Sequence, residues 1–160
     1  MNTSTIPVPG VFHFLQHHTV LPQDWHTLCQ AITTAYLKMQ EHPDSLSLAT
    51  APVICEHTGN RPLRDDDSVI GLGVISFNGE RAAYLAGDSF LLYRRQIPHA
   101  SIRCDTRGYP YQWLVMAVLL LANTHIPNTW TIESDLPVKQ WRSVARWLTH
   151  HCKLSVSPLF

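Results

Sequence analysis

Ten consecutive apolar residues, Trp113 to Ala122, constrain this chain more than any other feature. The run WLVMAVLLLA has no polar side in any regular conformation. A helix that is hydrophobic all round must be enclosed by other elements or by lipid. Crossing a bilayer takes about 20 such residues. The run is therefore read as a helix, from about Pro110 to Asn123, packed across a sheet inside a folded domain.

The rest of the composition agrees. The chain has 160 residues, about one domain's worth, with 45% hydrophobic and 15% charged residues. A domain of this size buries roughly 70% of the surface its unfolded chain exposes, so it needs neither disulfide nor metal to fold. The cysteines, Cys29, Cys55, Cys104 and Cys152, are scattered and form no Cys-x-x-Cys pair. They read as four reduced thiols in a reducing compartment. The first residues, MNTSTIPVPGVFHFLQHH, have neither a basic start nor a continuous apolar stretch. The expectation is a cytoplasmic protein without a membrane span.

Periodicity places the other elements. Residues 1–20, with Pro7, Pro9 and Gly10, read as an irregular arm holding a short strand or turn at Val11 to Leu15. Residues 21–160 read as a single domain. Trp25, Leu28, Ile32, Ala35, Tyr36 and Met39 recur at helical spacing, which predicts a helix from Pro22 to Glu41. Pro52 to Glu56 reads as a short β-rich run and Ser68 to Phe77 as a strand. Asn78-Gly79 between two apolar runs predicts a tight hairpin with Arg81 to Ala86 as the partner. Ser89 to Tyr93, Ile102 to Cys104 and Thr129 to Glu133 read as further strands. Pro137 to His150 reads as a third helix, and Lys153 to Val156 as a last strand. Neighbouring strands followed by alternating helices and strands predict an α/β fold. Its sheet is expected to be mixed, with an antiparallel hairpin, parallel strands and flanking helices.

This order of elements resembles the ribonuclease H fold over residues 52–150. The stretch Pro52-Val-Ile-Cys-Glu-His-Thr-Gly-Asn60 resembles that family's first strand, and Gly71 to Gly87 its second and third. Gln112 to Leu119 resembles the helix that normally begins with a catalytic glutamate. Thr131-Ile-Glu-Ser-Asp135 resembles the fourth strand, which ends in an acid. The resemblance implies phosphodiester hydrolysis by two Mg²⁺ ions held by converging carboxylates. It places Glu56 and Asp135 as metal-binding acids, and Gln112 where the helix glutamate belongs. A glutamine carries no charge to offset a dication, and no acid follows Asp135. The implied catalytic set is degenerate, so the expected module binds nucleic acid, or a protein of a nucleic-acid-processing complex, and is non-catalytic or weakly catalytic.

Two other classes stand beside it. One is a divergent Mg²⁺-dependent nuclease in which Asp88 or Glu133 supplies the missing acid. The other is a small protein-binding domain of the immunity or antitoxin type. Individual residues have plainer readings too: Asp135, two residues before Pro137, fits a cap of the third helix, and Asp65-Asp66-Asp67 fits a solvated loop.

Charge is uneven along the chain. Residues 1–88 carry four basic and nine acidic side chains, a net of −5, and residues 89–160 carry eight and three, a net of +5. Arg94, Arg95, Arg142 and Arg146, with Trp147, are the candidate nucleic-acid or partner contacts. The zero overall charge speaks instead for charges that interleave once folded. His150, His151 and Cys152 near the C-terminus, with Cys55 and His57, match no zinc-finger spacing.

Overall fold

The structure is a computed structural model, and it describes residues 8–46, 51–63, 73–98 and 100–160. Its elements are β1 (Val11–Gln16), α1 (Pro22–Glu41), a 3-10 turn (Pro43–Leu46), β2 (Val74–Phe77), β3 (Phe90–Tyr93), β4 (Ser101–Asp105), α2 (Gln112–His125), β5 (Trp130–Ser134) and α3 (Val138–Cys152). The predicted strand residues 68–72 lie outside the described residues.

The apolar run forms α2, in which Leu114 to Ala122 are all buried. It is flanked by α1 and α3. α1 turns Trp25, Leu28, Ile32, Ala35 and Met39 inward, as its spacing requires. Pro22 opens the helix, where a missing N–H costs no hydrogen bond. α3 buries Trp141, Val144, Trp147 and Leu148. It ends at Lys153, whose left-handed backbone (φ 57°) lies three residues beyond His150. No last strand forms. Leu154, Val156 and Leu159 instead lie against the core, and the Phe160 ring meets Trp141 edge-on at 5.4 Å.

The sheet departs most from expectation. β1 lies between β4 and β5 and pairs antiparallel with both. β2 and β3 form a separate antiparallel pair. Every strand pairing among the described residues is therefore antiparallel, where parallel pairing was expected. The cause is the segment read as an arm. β4, α2 and β5 are joined as a crossover unit, and the two strands do run parallel to each other. β1 inserts between them, so the chain forms a split βαβ and the ladders on both sides are antiparallel. Phe12, Phe14 and Gln16 point to the helices, and Val11, His13 and Leu15 to the other face. The central strand lies outside residues 52–150, the stretch that resembles ribonuclease H.

The Asn78-Gly79 hairpin is also corrected. Arg81–Ala83 is a short 3-10 turn, and the partner of β2 is β3. Asn78 is buried: its carboxamide accepts the Gly79 N–H at 2.7 Å and donates to the carbonyls of His57 and Gly87. At Gly79, a Cβ would lie 2.0 Å from the Leu85 carbonyl oxygen. The glycine is there for close backbone approach, not for a two-residue turn. Pro52 to Glu56 forms no ladder. Cys55 makes single bridges to Asn78 and Pro62. Phe90 ties the two sheets together, with ring centroids 5.6 Å from Phe14 and 5.0 Å from Phe77.

Candidate functional site

Two of the three residues of the expected acid set meet at one end of the central strand. Asp135 Oδ1 accepts the N–H groups of Gly10 (3.0 Å) and Val11 (2.9 Å). On the other side, the Gly10 carbonyl lies 3.0 Å from the Thr106 hydroxyl, which lies 2.6 Å from Gln112 Oε1. Gln112 is buried in this network at the first residue of α2. Asp135 does not cap α3: Pro137 holds the cap position with no side-chain hydrogen bond, and Asp135 fastens the start of β1 instead.

Glu56 lies elsewhere. It closes its own loop, accepting the Thr58 hydroxyl, the Thr58 N–H (3.0 Å) and the Asn60 N–H (3.1 Å). The loop turns at Gly59, whose φ of +83° suits a residue without Cβ. The Thr58 hydroxyl, its N–H and the Asn60 N–H, with His57 alongside, hold the Glu56 carboxyl down at about 2. β1, β4 and residues 87–89 stand between this loop and Asp135. Two strand spacings alone amount to about 10 Å. Among the described residues no hydrogen bond or ion pair joins Glu56 to Asp135 or Gln112, and no group of three His, Cys, Asp or Glu side chains is placed to hold a metal. That includes His150, His151 and Cys152 with Cys55 and His57. Asp65-Asp66-Asp67 lies outside the described residues.

The two acids held in reserve have other surroundings. Asp88 Oδ2 accepts the Asp105 N–H (2.9 Å) and pairs with Arg103 at 3.7 Å, while Arg103 also reaches Asp105 at 3.7 Å. Glu133 is exposed on β5, opposite His13.

The candidate contact residues do not form one patch. Arg94 closes the end of β3 over the loop before α1, donating to the Val20 carbonyl at 2.8 Å. Arg95 is exposed beside it. Arg142 and Arg146 are exposed one turn apart on α3, next to the C-terminal tail. Trp147 is only 6% exposed, so it is not a stacking platform. Its Nε1–H donates to Ser45 at 2.7 Å, and its ring meets Trp113 edge-on at 4.5 Å. All four cysteines are free and buried, and burial pushes the Cys29 and Cys104 thiols up to about 12.

Two features have no counterpart in the sequence reading. The first is the outer face of the three-stranded sheet. There the register aligns Arg103, His13 and Glu133 across β4, β1 and β5, all three exposed, with Val11 and Leu15 half-buried on either side of His13. Burial alternates along the whole of β1, but in residue type only Phe12-His13-Phe14 alternates, since apolar Leu15 faces out and Gln16 faces in. The second is a cleft of about 310 Å³ between the start of α2, the 3-10 turn and α3. It joins residues far apart in sequence, so no local pattern announces it.

Compared with protein-family models, curated proteins and solved structures, the chain matches none.

Proposed function

We propose that this chain is a non-catalytic binding domain whose partner is a protein, held on the outer face of the β4-β1-β5 sheet. The observation that carries this reading is the exposed row Arg103–His13–Glu133 beside half-buried Val11 and Leu15. An interface surface of this kind sets unlike charges around a modest apolar centre. A phosphate backbone selects a different surface, with cations grouped and acids kept away. Here Arg103 stands between Asp88 and Asp105, and Glu133 occupies the opposite strand.

The chemistry of the former candidate acids supports the same side. The Asp135 carboxylate is taken up by two backbone N–H groups, and Glu56 by three donors of its own loop. Both act as local fasteners. No helix among the described residues is long and apolar enough to cross a membrane.

The test is association with a co-purifying protein, measured for the native chain and for Arg103→Glu with Glu133→Lys, both verified as folded by circular dichroism. The reading predicts that charge reversal weakens the association by about tenfold or more, and that a labelled RNA–DNA hybrid is neither cleaved with Mg²⁺ or Mn²⁺ nor bound with steep salt dependence. Hybrid cleavage, or association indifferent to the reversal, contradicts it.

A further inference from the structure

The cleft on the helical side has the properties of a ligand site. It is separate from the sheet face proposed above as the protein contact, because α3 packs on the inner side of β1, where Trp141 meets the Phe12 ring at 5.8 Å. Its volume of about 310 Å³ lies at the small end of the range for pockets that hold small molecules. Its walls include Gln112, Trp113 and Met116 of α2 and Gln140, Ser143 and Trp147 of α3.

Among the described residues the walls carry no formally charged side chain. An ion entering would lose hydration with no counter-charge to replace it. Half-buried Trp113 meets the Trp147 ring nearly at right angles, 83° between planes, and is the aromatic surface on this wall for a flat ring. The indole N–H of Trp147 is already used on Ser45.

Gln112 supplies the polar handle. It is 7% exposed, and its Oε1 faces the Thr106 hydroxyl. Among the described residues its Nε2 has no hydrogen-bond partner, yet it is not sealed from space as the indole nitrogens of Trp25, Trp130 and Trp141 are. An amide donor that is buried, unpaired and on a cavity wall is costly unless something in the cavity accepts from it.

We propose that this cleft binds a small, uncharged, planar ligand bearing a carbonyl at its edge, an aromatic carboxamide being the simplest such molecule. The ring lies against Trp113 and Met116, and the carbonyl accepts from Gln112 Nε2. The inference stands independently of the protein partner, since the two faces are on opposite sides of the sheet.

The experiment uses benzamide as the probe on the full chain, followed by NMR at the indole N–H resonances of Trp113 and Trp147, with benzoate as the charged isostere. The proposal predicts saturable shifts with a Kd on the order of 1 mM, as suits so small a ligand, and benzoate weaker by about tenfold or more. Ser143→Trp, at an exposed position on the α3 wall, fills the mouth and abolishes the shifts. Gln112→Met keeps the volume, removes the donor and weakens benzamide by about tenfold. If Gln112→Met does not fold, Ser143→Trp decides alone. The absence of saturable shifts, equal binding of benzoate, or unchanged binding in Ser143→Trp overturns the proposal.

Discussion

Asp135 and Val11 hold each other by both ends: the Asp135 carboxylate accepts the Val11 N–H at 2.9 Å, and the Asp135 N–H donates to the Val11 carbonyl at 3.3 Å. An acid at the close of β5 thus sets where β1 begins. Asp135→Ala removes the side-chain half of this clasp and the bond to Gly10. Hydrogen bonds to a charged acceptor contribute about 1.5–3 kcal/mol when enclosed, and Asp135 is exposed, so a loss of about 1–2 kcal/mol is expected in urea unfolding. The loss should be the same with Mg²⁺ as with EDTA; a metal-dependent loss would show that the carboxylate serves an ion.

The central position of β1 makes the first twenty residues essential. Phe12 is fully buried between the sheet and Trp141. Phe12→Ala should cost about 3–5 kcal/mol by cavity formation and lost burial. Deleting residues 1–16 should abolish cooperative unfolding, because β4 and β5 then lose the strand between them. A dispensable arm would leave the melting transition in place.

The Glu56 loop predicts a low titration midpoint. Donation from the Thr58 hydroxyl and from the Thr58 and Asn60 N–H groups holds the carboxyl at about 2, below its ordinary 4.5. The unfolded chain therefore takes up the proton first as pH falls. The loop's contribution is complete above about pH 4.5 and is lost as pH falls toward 2. NMR titration of the Thr58 and Asn60 amides should give a midpoint well below 4.5, and Glu56→Gln should remove the transition. A midpoint at the ordinary value contradicts the hydrogen bonding described.

The cysteines should be inert. Burial raises the thiol pKa at all four positions, to about 12 at Cys29 and Cys104. Since the thiolate is the nucleophile, none of the four should react with a thiol reagent at pH 8 in the native chain, and all four should react in denaturant. Fast labelling of one native thiol would place it in a different environment.

Elements whose signal is local were legible. α1 begins and ends where its spacing and Pro22 put it, and the apolar run is the enclosed helix α2. Long-range pairing was not legible. β1 alternates in residue type only over Phe12-His13-Phe14, its flanking prolines read as an irregular arm, and nothing local says that it inserts between β4 and β5. At Asn78-Gly79 the turn chemistry misled, because the asparagine is buried to bind the carbonyls of His57 and Gly87 and the glycine makes room for Leu85. Among the candidate site residues, Gln112 and Asp135 do share one network. Glu56 does not join them, because that required the first strand to be the stretch before it.

The most direct test is whether residues 56 and 135 share a metal. Mn²⁺ added to ¹⁵N-labelled protein broadens amides close to any site it occupies. The structure predicts that amides 57–60 and 134–136 are not lost together at substoichiometric Mn²⁺. Joint, saturable broadening of both groups, abolished by Asp135→Asn, would contradict the arrangement and restore a catalytic reading.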